Sequence, residues 1–260
     1  MRKTFADGRV FGTTYGEPPW RVLALPGWMH TTADYDGVLA DLGAGAGAVA
    51  IDLPGFGGLN PEPPAVWGAA GYAGYVEPVM DDLAPAGVVL VGHSRGAAVA
   101  VHLAARRPQQ VGALVLAGAP LVRRSGATRK APFAFRVARA LNKKGMFGDN
   151  RMEQLRRRHG SADYRNAPSR LMRDILVKVT NESYEDQLRA LAEHAIAVDI
   201  LHGATDDAVP LEVAQRATAI IGDRATLTVL DGVGHHVPTQ AADQLRAAIA
   251  RHLVSESGSA

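Results

Sequence analysis

Three short stretches hold residues that could do chemistry together. Residues 88–108, VVLVGHSRGAAVAVHLAARRP, set Ser94 between Gly92 and Gly96, where an apolar run meets an alanine-rich one. Residues 202–210, HGATDDAVP, offer Asp206 and Asp207; residues 231–238, DGVGHHVP, offer His235 and His236. A serine hydroxyl is a poor nucleophile at neutral pH and needs a base. Histidine suits that task, provided a carboxylate holds its ring in the useful tautomer. An attacked carbonyl also needs donors for the charge that develops on its oxygen. The backbone N–H of Arg95, directly after the serine, is one candidate donor. The N–H of Trp28, in LPGW (25–28), is the other, with Gly27 letting the backbone approach.

These residues work together only if they meet at one edge of a sheet. GVVLVG reads as a buried strand and SRGAAVAVHLAARR as the helix after it. A side chain at Gly92 or Gly96 would collide with so sharp a junction, and the strained turn would push the serine hydroxyl clear of the sheet. Other continuous apolar runs are RVLAL (21–25), GAVAID (47–52), VGALVLAGAP (111–120), AIAVDILHG (195–203) and ATLTVLDG (225–232). Helical spacing marks TADYDGVLADL (32–42), LEVAQRATAII (211–221) and TQAADQLRAAIARHL (239–253), and AAGYAGYVEPVMDDLA (69–84) with a break at Pro78. Such alternation predicts an α/β fold with a mostly parallel twisted sheet and helices on both faces. Ligands of such sheets bind at the carboxyl edge. Residues 1–120 and 195–254 are expected to form this core. Residues 121–194 break the rhythm and are expected to form a helical basic cap, with helices in APFAFRVARALNKK and PSRLMRDILVKVT; residues 255–260 read as a frayed tail.

Charge is unevenly spread. Residues 121–180 hold 16 Lys+Arg against 4 Asp+Glu, although the whole 260-residue chain is only +2. Two readings compete for this insert: a solvated helical face whose long side chains cover apolar surface, or a cationic rim that favours an acidic substrate or partner. The densest cluster, Arg156-Arg157-Arg158, lacks interleaved aromatics, so nucleic acid is not an expected partner. The chain has no cysteine, which excludes disulfides, thiolate metal sites and a thiol nucleophile. The N-terminal stretch MRKTFADGRVFGTTYG has no apolar leader core and no run is long enough to span a membrane, so the expected location is cytoplasmic.

The combination resembles the α/β-hydrolase superfamily, in its capped serine-hydrolase branch. The resemblance rests on Gly92-His93-Ser94-Arg95-Gly96, Pro26-Gly27-Trp28, the turn DLPGFGG (52–58), Gly203-x-x-Asp206 and Gly232-x-Gly234-His235, and covers nearly the whole chain. It implies that Ser94 is the nucleophile, Asp206 the orienting acid and His235 the base, with Trp28 and Arg95 N–H groups forming the oxyanion hole. It implies no cofactor and a small-molecule ester or thioester substrate, cleaved through an acyl-serine intermediate. The same triad serves carbon–carbon hydrolysis of diketones, and a non-catalytic receptor would keep the pocket alone. Pro26-Gly27 stands where many members have His-Gly, and Ala97 where many have a third glycine. A serine at the elbow argues against the epoxide-hydrolase and haloalkane-dehalogenase branches, which use aspartate there.

The remaining polar residues have plainer readings beside functional ones. His30 is a candidate substrate contact or a surface-loop histidine. His236 is a pocket candidate expected to pack under the cap, and Asp207 is expected to cap the turn after Asp206. His93 is expected to pack beneath the nucleophile; His102 and His202 read as structural. Adjacent His235 and His236 have no partner at metal-ligand spacing, and DLPGFGG lacks the Lys-Ser/Thr of a phosphate loop.

Overall fold

The computed structural model describes residues 1–43, 46–123 and 148–254. Its strands are β1 (Arg2–Phe5), β2 (Val10–Tyr15), β3 (Trp20–Leu25), β4 (Gly47–Ile51), β5 (Val88–His93), β6 (Val111–Ala117), β7 (Ala197–Gly203) and β8 (Ala225–Leu230). They form one sheet in the order β1-β2-β4-β3-β5-β6-β7-β8. Strands β3 to β8 pair in parallel, while β2 is antiparallel to both β1 and β4. The six parallel strands are the six apolar runs of the sequence. The two antiparallel strands lie outside them, because β1 is mostly exposed and β2 alternates buried with exposed residues. That period-two pattern belongs to a half-covered edge.

Helices follow as α1 (Asp36–Leu39), α2 (Ala69–Val76), α3 (Arg95–Arg106), α4 (Asp149–His159), α5 (Ala162–Asn166), α6 (Arg170–Thr180), α7 (Glu185–Glu193), α8 (Leu211–Ile221), α9 (Val237–Gln240) and α10 (Ala242–Val254). Alternate strand residues feed two apolar layers. In β5, Val88 and Leu90 join the layer covered by α2, α3, α7 and α8, whereas Val89 and Val91 join the layer covered by α1, α9 and α10. Helix α2 stops at Val76, and the chain runs on through Pro78 as a 3-10 turn, Glu77–Asp82.

Between β6 and β7 the chain supplies α4 to α7. Helix α6 is capped by the Ser169 hydroxyl, which accepts from the Met172 N–H at 3.1 Å, and buries Met172, Ile175, Leu176 and Val179 in the first layer. Helix α7 buries Leu188 and Leu191 in that layer too. Polar ties fasten these helices to the core. The Glu182 carboxylate accepts from the Ala69 N–H at the start of α2 (3.0 Å), and the Tyr184 N–H donates to Leu121 O (3.0 Å). The helix expected in APFAFRVARALNKK and the tail from residue 255 lie outside the described residues.

Candidate active site

Ser94 sits at the junction of β5 and α3, in the middle of the sheet. Its φ of 50° and ψ of −115° place a non-glycine residue in strained backbone territory. The junction is that tight because α3 starts at once. A Cβ on Gly92 would run into the Ala97 backbone, and one on Gly96 into the Leu25 carbonyl. Ser94 is fixed from the next strand by its N–H, which donates to Ala117 O at 2.8 Å. Only 9% of the residue is exposed.

The loops after β7 and β8 converge on it. The Ser94 hydroxyl and His235 Nε2 are 3.0 Å apart, and His235 Nδ1 lies 2.8 Å from Asp206 Oδ2. The two loops are stitched together by Thr205, whose N–H and hydroxyl both donate to Val233 O at 2.9 Å. The Asp206 side chain is wholly buried. Burial pushes its carboxyl up, but hydrogen bonds from His235 and from the Val209 and Ala208 amides outweigh this and hold it below the ordinary carboxylate range. Asp206 thus performs two tasks, because Oδ1 accepts from the Ala208 and Val209 N–H groups (2.9 and 2.8 Å) while Oδ2 serves the imidazole. The turn cap expected of Asp207 is therefore made by Asp206, and Asp207 is exposed.

On the other flank, the loop after β3 brings Gly27 beside the elbow: a Cβ there would lie 3.1 Å from Ser94 Cβ. Trp28 follows, buried edge-on against Phe56 with ring centres 4.8 Å apart. Arg95 is the first residue of α3, so its N–H has no acceptor within the helix. Its side chain reaches α6, where Nη1 donates to Val179 O at 2.9 Å and Nη2 to Thr180 Oγ1 at 3.0 Å. Trp28, Phe56, Tyr72, Val99 and Tyr184 line a narrow, almost wholly apolar pocket that Arg95 also borders.

Imidazoles gather on the remaining side. His93 is buried beneath the site, and its Nε2–H donates to His235 O at 2.9 Å. Burial, reinforced by the rings of His235, His30 and His236, pushes its pKa down to about 3, so it is neutral at working pH. His236 is exposed at the rim rather than covered, with its ring centre 4.8 Å from that of His30 and 5.6 Å from that of His235. Burial and those two rings lower its pKa. His30 lies half-buried, 5.4 Å from His93 between ring centres, with Nδ1 against the Asp34 carboxylate. No sequence motif pairs His30 with Asp34, because His30 stands on a loop ahead of the 3-10 turn Thr32–Tyr35. His102 packs edge-on against Tyr184, and His202 is buried in β7. Among the described residues no group of histidine and carboxylate side chains could hold a metal ion.

The insert's described arginines are divided. Arg173 is buried against Glu153, to which the Tyr164 hydroxyl also donates at 2.8 Å. Arg157 and Arg158 are exposed, and Arg156 is half-buried. No helix among the described residues is long and apolar enough to cross a membrane.

This architecture is that of a known family. The family model described as the alpha/beta hydrolase family matches residues 22–248, and the chain belongs to that family. Among individual relatives, it is 33% identical over 109 residues to Esterase Rv0045c of Mycobacterium tuberculosis, which is 42% of this chain and 36% of that protein. The match thus spans little more than a third of that relative's length. Among solved structures it resembles a thermophilic esterase from Thermogutta terrifontis, with a TM-score of 0.69, 18% identity and coverage of 98% of each chain. It also resembles the meta-cleavage product hydrolase CumD of Pseudomonas fluorescens, with a TM-score of 0.68, 19% identity, and coverage of 98% of this chain and 97% of that one.

Proposed function

We propose that the protein is a serine hydrolase that cleaves a carboxylic ester or thioester through an acyl-Ser94 intermediate. The observation that carries this reading is the unbroken chain of contacts from Ser94 Oγ through His235 to buried Asp206, at a strained elbow. His235 Nε2 takes the hydroxyl proton as Ser94 Oγ bonds to the substrate carbonyl carbon. The oxyanion is received by the N–H groups of Trp28 and Arg95. The intermediate collapses, and the leaving oxygen or sulfur departs with the proton from His235. Water then attacks the acyl carbon, gives its proton to His235, and the carboxylic acid leaves as Ser94 regains its hydrogen. Asp206 stabilises the imidazolium in both halves. The narrow apolar pocket bordered by Gly27, Trp28 and Arg95 marks the acyl side of the site, and residues 121–194 serve as the cap, with α7 as its footing on the core.

The relative's name points the same way, towards esters. The fold shared with the meta-cleavage product hydrolase keeps the carbon–carbon reaction as a comparison, so a vinylogous diketone belongs in the assay panel beside aryl esters and acyl thioesters. The test is a fluorophosphonate label together with that panel. The expected result is a label on Ser94 and burst release of the leaving group from an aryl ester. An unlabelled Ser94, or steady turnover by Ser94→Ala protein, would overturn the reading.

A further inference from the structure

A second histidine–carboxylate pair stands beside the first. His30 Nδ1 meets Asp34 Oδ2 as His235 Nδ1 meets Asp206 Oδ2. Its placement is built. The short turn that carries Asp34 is pinned on one side by the buried Asp52 carboxylate, which accepts from the Thr32 N–H at 2.7 Å. On the other side the buried Tyr35 hydroxyl donates to Leu25 O at 3.0 Å, at the end of β3. His30 itself is held to the oxyanion loop by its N–H, which donates to Gly27 O at 3.2 Å. A carboxylate on Nδ1 fixes the tautomer and leaves Nε2 as the free polar atom.

The site is divided by polarity. The apolar pocket is walled by Trp28, Phe56, Tyr72 and Tyr184, and neither His30 nor His236 lines it. Instead His236 packs beside His235, and His30 packs against His236 and His93. A base that returns its proton to the leaving group must have that group beside it. The imidazole side is therefore the leaving-group side.

We infer that the His30–Asp34 pair, packed against His236 beside His235, is a leaving-group subsite for esters whose alcohol portion carries a hydroxyl. This rests on the acyl-serine reading: the acyl half lies towards the apolar side of the site and the polar alcohol meets His30 Nε2. His30 acts there as a specificity-determining residue, and Asp34 as its positioning residue.

Two butyrate esters matched in heavy atoms, ethylene glycol monobutyrate and propyl butyrate, separate the halves of this statement. The protein is expected to favour the glycol ester about three- to tenfold in kcat/KM, the worth of one hydrogen bond. His30→Ala should bring the ratio to about one, with the larger loss of kcat/KM falling on the glycol ester. Asp34→Asn should reduce it, and His30→Gln, whose amide can still bond a hydroxyl, should restore part of it. Binding of both esters to Ser94→Ala protein reads the subsite without turnover, and the same preference is expected in Kd. A wild-type ratio of one, or a ratio untouched by His30→Ala, overturns the subsite. If wild-type protein cleaves neither ester, the fluorophosphonate label on Ser94 decides the acyl-serine reading, and the Kd ratio alone decides for or against the subsite.

Discussion

The two histidine–carboxylate pairs of this molecule differ in burial more than in geometry. The Asp206 side chain has no solvent exposure and that of His235 is 16% exposed, whereas those of His30 and Asp34 are 28% and 25% exposed. Asp206 accepts two backbone N–H groups as well as the imidazole, and His235 touches the serine. Electrostatic contacts strengthen as water is excluded. A dry, fully bonded carboxylate can stabilise an imidazolium at the moment it forms, while a wetter one mainly sets ring orientation. On the proposed reading, the same two residue types divide into chemistry and recognition according to what surrounds them.

Breaking the buried pair should have the larger consequences. Ser94→Ala is expected to lower kcat on an aryl ester by on the order of 10⁶-fold, with an unchanged unfolding midpoint in urea. Asp206→Asn should cost about 10⁴-fold, since it loses the tautomer and the buried charge. Asp34→Asn should leave kcat on the same aryl ester within about threefold, because the wetter pair only orients a ring that touches the alcohol portion. Steady-state kinetics of the three variants on one substrate test this ranking, and comparable losses at Asp206 and Asp34 would erase the distinction. His235→Ala should likewise far exceed His236→Ala, whose exposed ring touches its neighbours without a hydrogen bond to the serine.

A separate effect, on stability rather than turnover, is expected from the neutral imidazole between the pairs. His93 titrates at about 3 in the folded protein because of its burial, against about 6.5 when unfolded. Between those values the unfolded chain binds a proton that the native protein refuses, so stability falls as pH drops, by up to about 1.4 kcal/mol per pH unit from this group. Asp206 adds to the trend with the same sign. Its folded pKa is lowered, so its contribution is present above the unfolded carboxylate range and is lost as pH falls through the folded value. Urea unfolding of the protein and of His93→Gln, compared between pH 6.5 and pH 4.5 in about two-unit span, should show a shallower decline in the variant.

Much of this was legible in the residues, for definite reasons. The parallel strands are continuous apolar runs, and Gly92 and Gly96 announce the elbow because no side chain fits there. The choice of His235 and Asp206 came with the resemblance, through Gly232-x-Gly234-His235 and Gly203-x-x-Asp206; a Cβ on Gly203 would strike the Val233–Gly234 backbone, which is where the two loops meet. Strands β1 and β2 escaped because exposed residues interrupt their apolar pattern. The cap on the turn after Asp206 went to Asp207 in the sequence because a sequence does not show that one carboxylate can serve a backbone turn and an imidazole with different oxygens. Asp34 escaped because its partner lies on a loop, where helical spacing has no standing until the turn at Thr32–Tyr35 is seen.

The most direct test of the central claim is the mass of the intact protein within the first turnovers of an aryl butyrate. One butyryl group is expected on Ser94, accumulating in wild-type protein, formed far more slowly in His235→Ala, and absent from Ser94→Ala while His30→Ala still acquires it. Acylation at any other residue, or full-rate acylation of Ser94 without His235, would contradict it.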